Sequence, residues 1–206
     1  MNDTIRPHAA EDEPDLIALL GSRLCHDLAS PLGALNNGVE LLELTEETPT
    51  EEIKLLRATL DTTIARLRFF RLAFGGGGAN SEIGIGEASA VVEQMYRESR
   101  RRVTWHDAEP RARSEIKLAF LVLNCIEVET PWGGAIDVRR RGDAWSIEVA
   151  ADRLKRSPHW NDLVEGRVPM GMASAEVQFG ILARAAATAS RTIAVERSET
   201  MLKVTV

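Results

Sequence analysis

Ser22–Leu44, SRLCHDLASPLGALNNGVELLEL, decides how the rest of the chain is read. Apolar positions run through and beyond it at Ile17, Leu20, Leu24, Leu28, Pro31, Leu35, Val39 and Leu42. These steps of three and four predict a long amphipathic helix with a coiled-coil-like seam. One histidine, His26, lies in that helix with Asp27 beside it and Pro31 five residues on. Pro31 has no amide hydrogen for the carbonyl of Asp27, so a kink is expected just past the histidine. A second pattern follows the break TEETPTEE, at Ile53, Leu56, Leu60, Ile64, Leu67, Phe70 and Phe74. Two long helices joined by a short polar turn form an antiparallel hairpin, and two helices alone leave a wide apolar stripe bare. A second copy would close a four-helix bundle, so a homodimer is expected from burial alone.

The four glycines of GGGGAN, Gly75–Asn80, sustain neither helix nor strand and mark a boundary. Residues 1–13 read as a disordered leader, 14–75 as the helical hairpin, 76–80 as a linker and 81–206 as a second domain. That domain reads as helix near 86–100, strand near 102–106 and helix near 114–128. A β-hairpin of AIDVRRR and AWSIEVA follows, then helices near 158–164 and 175–189, then a hairpin of TIAVER and MLKVTV. The expected fold class is α+β: a helical hairpin, then an α/β sandwich with helices on one face of a mixed sheet.

The 206 residues are 44% hydrophobic with a net charge of -6 and a pI near 5.4. An acidic chain is poorly suited to nucleic acid or anionic lipid. The polar start MNDTIRPHAAEDEPD has no apolar signal core, and no run of about 18 apolar residues occurs. The cytoplasm is the expected compartment and protein the expected partner. Cys25 and Cys125, in helical contexts without a close-spaced metal pattern, read as reduced thiols.

On the first helix, Arg23, His26, Ser30, Gly33 and Asn37 share one stripe. It is small and polar around one imidazole, so another protein can approach closely. Asp27 accepts a hydrogen bond from imidazole Nδ1, which leaves Nε2 as the nucleophile. That arrangement suits phosphoryl transfer to nitrogen.

HDLASP matches the histidine box of two-component histidine kinases, an H-[DE]-apolar-x-x-P pattern, and it lies in the first of two seam-bearing helices. With the PLGALNNG segment after it, the chain resembles the histidine phosphotransferases of the ChpT type. These are dimeric proteins built like a kinase core, with a dimerisation hairpin and a degenerate GHKL (Bergerat-type) ATPase domain. The resemblance runs from about residue 15 to the C-terminus, specific in the first helix and architectural after Gly78. It implies that His26 carries the phosphoryl group, that Asp27 orients it, and that Arg23, Ser30, Gly33 and Asn37 receive a receiver domain. The implied partners are the receiver domain of a hybrid histidine kinase and those of response regulators. Magnesium is expected in the partner receiver, with no cofactor or metal bound by this chain.

A working kinase needs an asparagine-rich box for magnesium, a D-x-G-x-G turn for adenine and a glycine-rich phosphate loop. LAFLVLNCIEVETPWGG keeps only Asn124, with Val128 four residues on. VAADRLKRSPHW keeps Asp152 but has Arg153 and Leu154 where small residues are needed, and VPMGMASAEVQFG has only separated glycines at 171 and 180. Asn124 and Asp152 therefore read as structural remnants, and a phospho-aspartate replaces ATP as the expected donor. The alternatives are a non-catalytic receiver-binding adaptor and an atypical ATP-dependent histidine kinase. Ser30 is also placed to orient a water for phosphatase activity, although a docking role is the plainer reading. His8 and His106 read as neutral, His159 as a cap or surface residue, and the runs Arg100–Arg102 and Arg139–Arg141 as solvated charge.

Overall fold

The computed structural model describes residues 15–45, 48–76, 81–84 and 86–206. The leader with His8, part of the first turn and residues 77–80 of the linker lie outside the described residues.

Helix α1, Leu16–Thr45, starts where Asp15 Oδ1 accepts the Ala18 amide at 3.0 Å, and it runs unbroken through Pro31. Helix α2, Glu51–Ala73, is capped by Thr50, whose hydroxyl accepts the Ile53 amide, and it carries Glu51 and Glu52 in its first turn. Near the turn the helices are pinned by Arg57, which donates to both Glu43 oxygens and, at 2.8 Å, to Asn36 Oδ1.

The α1 residues turned inward are small or slender: Ala18, Cys25 and Val39 are buried, and Gly21, Ser22 and Leu32 half-buried. A Cβ at Gly21 would lie 2.8 Å from the Phe74 carbonyl oxygen, so the helices meet there backbone to backbone. The apolar seam seen in the sequence mostly faces the other way. Leu20, Leu24, Leu28 and Leu35 are each more than half exposed, and of that seam only Val39 is buried. α1 thus has two faces, a small-residue face for α2 and a leucine face with no partner among the described residues.

The far end of α2 is part of the main core. Phe69, Leu72 and Ala73 are buried there, with the Phe69 ring 4.8 Å from Phe120 and 6.1 Å from Tyr96. Behind Gly76, whose amide donates to Ala18 O and Ser22 Oγ, the chain forms β1, Glu82–Ile83, and α3, Glu87–Tyr96. β2, Arg101–Trp105, β3, Arg111–Ala112, and α4, Arg113–Glu129, follow. Then come β4, Gly134–Arg141, β5, Ala144–Ala150, α5, His159–Val164, α6, Val177–Thr188, β6, Ala194–Arg197, and β7, Met201–Thr205.

Five strands form one sheet in the order β2-β4-β5-β7-β6, and β1 pairs with β3 apart from it. β2 and β4 are parallel, which demands a crossover, and α4 supplies it; the other pairs are antiparallel. Register places Ile136 opposite Val149, Val138 opposite Ile147, and Ile147 opposite Val204, all buried. The alternate positions Asp137, Glu148, Lys203 and Glu196 line up across the sheet as charged residues. One face is therefore apolar beneath α4 and α6, and the other is polar, as the alternation in the sequence predicts. The fold is α+β with a hairpin and a sheet domain, as expected. The β1–β3 pair is new, since two-residue strands carry no readable period.

Candidate functional site

His26 stands on the solvent side of α1 with its side chain 83% exposed. Its Nδ1 lies 3.2 Å from Asp27 Oδ1, and the other carboxylate oxygen accepts Arg23 Nε at 2.7 Å. Asp27 therefore bridges a cation and the imidazole. With the Nδ1 proton pointed at the carboxylate, Nε2 keeps its lone pair free. Cys25, one residue earlier, turns inward; burial pushes its thiol up, against a smaller opposing effect of Arg71. Burial pushes the Cys125 thiol well up too, so both cysteines are held as thiols.

Beside His26 opens a cleft of about 1170 Å³ between the hairpin and the sheet domain. α1 contributes His26, Gly33 and Asn37, and α2 contributes Arg66, Arg68 and Arg71. The opposite wall holds Tyr96, Arg97, Arg101, Arg113 and Glu127. Of the expected stripe, His26, Gly33 and Asn37 thus line the cleft. Arg23 and Ser30 are exposed on α1 but outside its lining, with Arg23 turned onto Asp27. The arginines of the far wall come from separate elements, and no spacing in the sequence joins them.

Several surface readings are corrected by tertiary packing. Arg101 is not simply solvated: it donates to Thr130 Oγ1 at 2.8 Å and to the Glu127 carbonyl at 2.9 Å. Arg140 pairs with Glu115 and lies over the Trp145 ring. His159 is buried, 3.3 Å from Glu176 and with its ring tilted 56° to that of Phe179, because the start of α6 packs against it. His106 has a partner in Asp137, at 2.6 Å across β2 and β4.

The segments compared above with nucleotide boxes make contacts within the protein. Asn124 is buried within α4, and Asp152 is exposed. The fully buried Glu129 carboxylate accepts the Ser157 amide at 2.7 Å and pairs with Arg197. Arg153 stacks on Trp132, 3.6 Å from the ring centroid. These contacts fix residues 153–157 against the end of α4. Among the described residues no group of three or more His, Cys, Asp or Glu forms a metal cluster, and no helix is long and apolar enough to cross a membrane.

The fold thus joins a helical hairpin bearing an exposed imidazole to a sheet domain. The model of the histidine phosphotransferase C-terminal domain matches residues 85–201. The protein phosphotransferase ChpT of Brucella abortus (strain 2308) is 35% identical over 161 residues, 75% of this chain and 77% of that protein. A solved bacterial phosphotransferase is similar over 93% of this chain and 95% of its own, with 30% identity and a TM-score of 0.67. The chain belongs to the histidine phosphotransferase family, of the ChpT type. Its activity is phosphoryl transfer through histidine in a two-component phosphorelay.

Proposed function

We propose that His26 is the phosphoacceptor and that Asp27 orients it. The observation that carries this reading is an exposed imidazole whose Nδ1 is held by a carboxylate 3.2 Å away at the rim of a cleft. The donor is a phospho-aspartate on the receiver domain of a hybrid histidine kinase. His26 Nε2 attacks phosphorus in line, the P–N bond forms, the P–O bond to aspartate breaks, and the carboxylate leaves. Positive charge gathered on the ring is stabilised by Asp27. The aspartate of a response-regulator receiver then attacks the same phosphorus, and the P–N bond breaks. Magnesium belongs to the acidic pocket of the receiver in this reading, and this chain binds no cofactor. Its contribution is alignment and an interface from which water is excluded.

Arg23, Ser30, Gly33 and Asn37 form the docking face, Arg23 while also holding Asp27. The leucine face of α1 packs against a second copy to make a four-helix bundle. The contacts made by Glu129, Arg153 and Trp132 support a phosphoprotein rather than ATP as donor. The test is to phosphorylate a receiver with an active hybrid kinase, add this protein and look for acid-labile label on it. Label on the wild type and none on His26→Ala is expected. Absence of label on the wild type supports a non-catalytic adaptor. Autophosphorylation from ATP alone supports an atypical kinase and overturns the assignment of donor.

A further inference from the structure

Six arginines line the cleft beside His26 against three acids, Asp61, Glu98 and Glu127, in a chain whose net charge is -6. Three of the six are used internally. Arg68 donates to Gln94 at 3.0 Å, Arg101 to Thr130 and the Glu127 carbonyl, and Arg113 to the Arg71 carbonyl at 3.0 Å. The guanidinium groups of Arg66, Arg71 and Arg97 make no hydrogen bond or ion pair among the described residues. Unpaired cations gathered on one cleft repel each other, and an acidic chain has carboxylates to spare for them. Leaving them unpaired favours an anion from outside.

In the opposite wall the buried Tyr96 hydroxyl faces the Glu127 carboxylate, so these two groups answer each other and the charge offered to the cleft is that of the arginines. Asp61 already faces Arg57 at 3.6 Å. The antiparallel pairing places Arg71 level with His26, since Gly21 meets Phe74 and Ser22 meets Gly76 one turn above, and the Arg71 charge reaches the neighbouring Cys25 thiol.

We propose that this cleft is an oxyanion site in which Arg71, supported by Arg66 and Arg97, holds a phosphoryl dianion. The dianion has two possible sources, the phosphoryl group on His26 and a free phosphate compound, and the first rests on His26 being the phosphoacceptor. Guanidinium charge at that place stabilises the dianion and opposes protonation of the ring, which is what makes imidazole a good leaving group. The arginines therefore prolong the life of phosphohistidine between the two receivers.

Phosphoramidate transfers its phosphoryl group to imidazole nitrogen with ammonia leaving, so it loads His26 in the full chain without any receiver. Loaded wild type, Arg71→Ala, Arg71→Lys and Arg66→Ala/Arg97→Ala are then compared for loss of label and for the phosphorus NMR shift. Loss about two- to fivefold faster in Arg71→Ala is expected from one partly exposed charge contact. Arg71→Lys restores most of it, and added salt narrows the difference. Unchanged thermal unfolding separates this from damage to the fold. In a second arm inorganic phosphate is titrated into His26→Ala. Saturable binding that Arg71→Ala abolishes supports a free-phosphate source, and altered lifetimes without such binding support the phosphohistidine source. Equal lifetimes, equal shifts and no phosphate binding overturn the proposal while leaving the phosphoacceptor reading intact. A wild type that takes no label at His26 overturns that reading instead.

Discussion

In the proposed mechanism the chemistry turns on Asp27, which holds the imidazole with one oxygen and the Arg23 guanidinium with the other. In free protein these contacts are exposed and screened; once a receiver covers them, the lower dielectric makes each of them count for more. Asp27→Asn keeps the shape but removes the charge that supports the phosphorylated ring. A hydrogen bond to a charged group is worth about 1.5–3 kcal/mol, so transfer to His26 is expected to slow by roughly ten- to a hundredfold. Rapid-quench measurement of label transfer from a phosphorylated receiver checks this, and an unchanged rate removes Asp27 from the mechanism. His26 and Asp27 are legible in the sequence because they are adjacent on one helix. The bond from Arg23 to Asp27 also follows from a four-residue spacing, although a docking role is what the small polar stripe suggests. His159 was illegible, because its burial depends on α6, more than a turn of sequence away from the motif around it.

Among the elements, α1 is placed by the absence of a side chain. A methyl group at Gly21 meets the Phe74 carbonyl oxygen at 2.8 Å, and backbone there cannot swing aside as a flexible side chain would. Gly21→Ala is expected to cost about 1–3 kcal/mol, as overpacking does elsewhere, and a urea midpoint shift measures it. α4 is fixed by charge as well as by its apolar face. Burial alone pushes the Glu115 carboxyl up, but hydrogen bonds and charge from Arg140 and Arg191 outweigh it and hold the carboxyl below the usual carboxylate range. A lowered folded pKa means that Glu115 contributes stability above its unfolded pKa and loses it as pH falls through the folded one. Urea midpoints from pH 7 down to pH 3 are expected to drop less steeply in Glu115→Gln than in the wild type. Parallel slopes would show that the two arginines do no more than fill space. The helices and the two hairpins were legible at this scale because their periods differ, near 3.6 in one and 2 in the other. The parallel pairing of β2 with β4 was not, since it joins strands separated by a whole helix.

At the scale of the molecule, two features stand out: a leucine face that the described residues leave uncovered and a hairpin rooted in the sheet domain. Leu20, Leu24, Leu28 and Leu35 form an apolar stripe of the kind that marks an interface. The full chain is expected to sediment as a dimer at micromolar concentration and Leu24→Glu as a monomer, which analytical ultracentrifugation reads directly. A monomeric wild type leaves that face without an occupant and sinks the four-helix bundle. Phe69, Leu72 and Ala73 bury α2 in the same core as Phe120, so the helix against which the histidine-bearing α1 packs is rooted in the second domain. The sequence by itself determined the local features: two long helices, an alternating sheet with one wet face, and a histidine beside an acid. Each of these follows from spacing within one element, where side-chain direction is dictated by the helical or strand repeat. Only the tertiary structure decided which face of α1 meets α2, how far the core reaches into the hairpin, and that Arg66, Arg71, Arg97, Arg101 and Arg113 converge on one cleft. Those facts depend on contacts between residues tens of positions apart, and such contacts are set by packing volumes and close backbone approach.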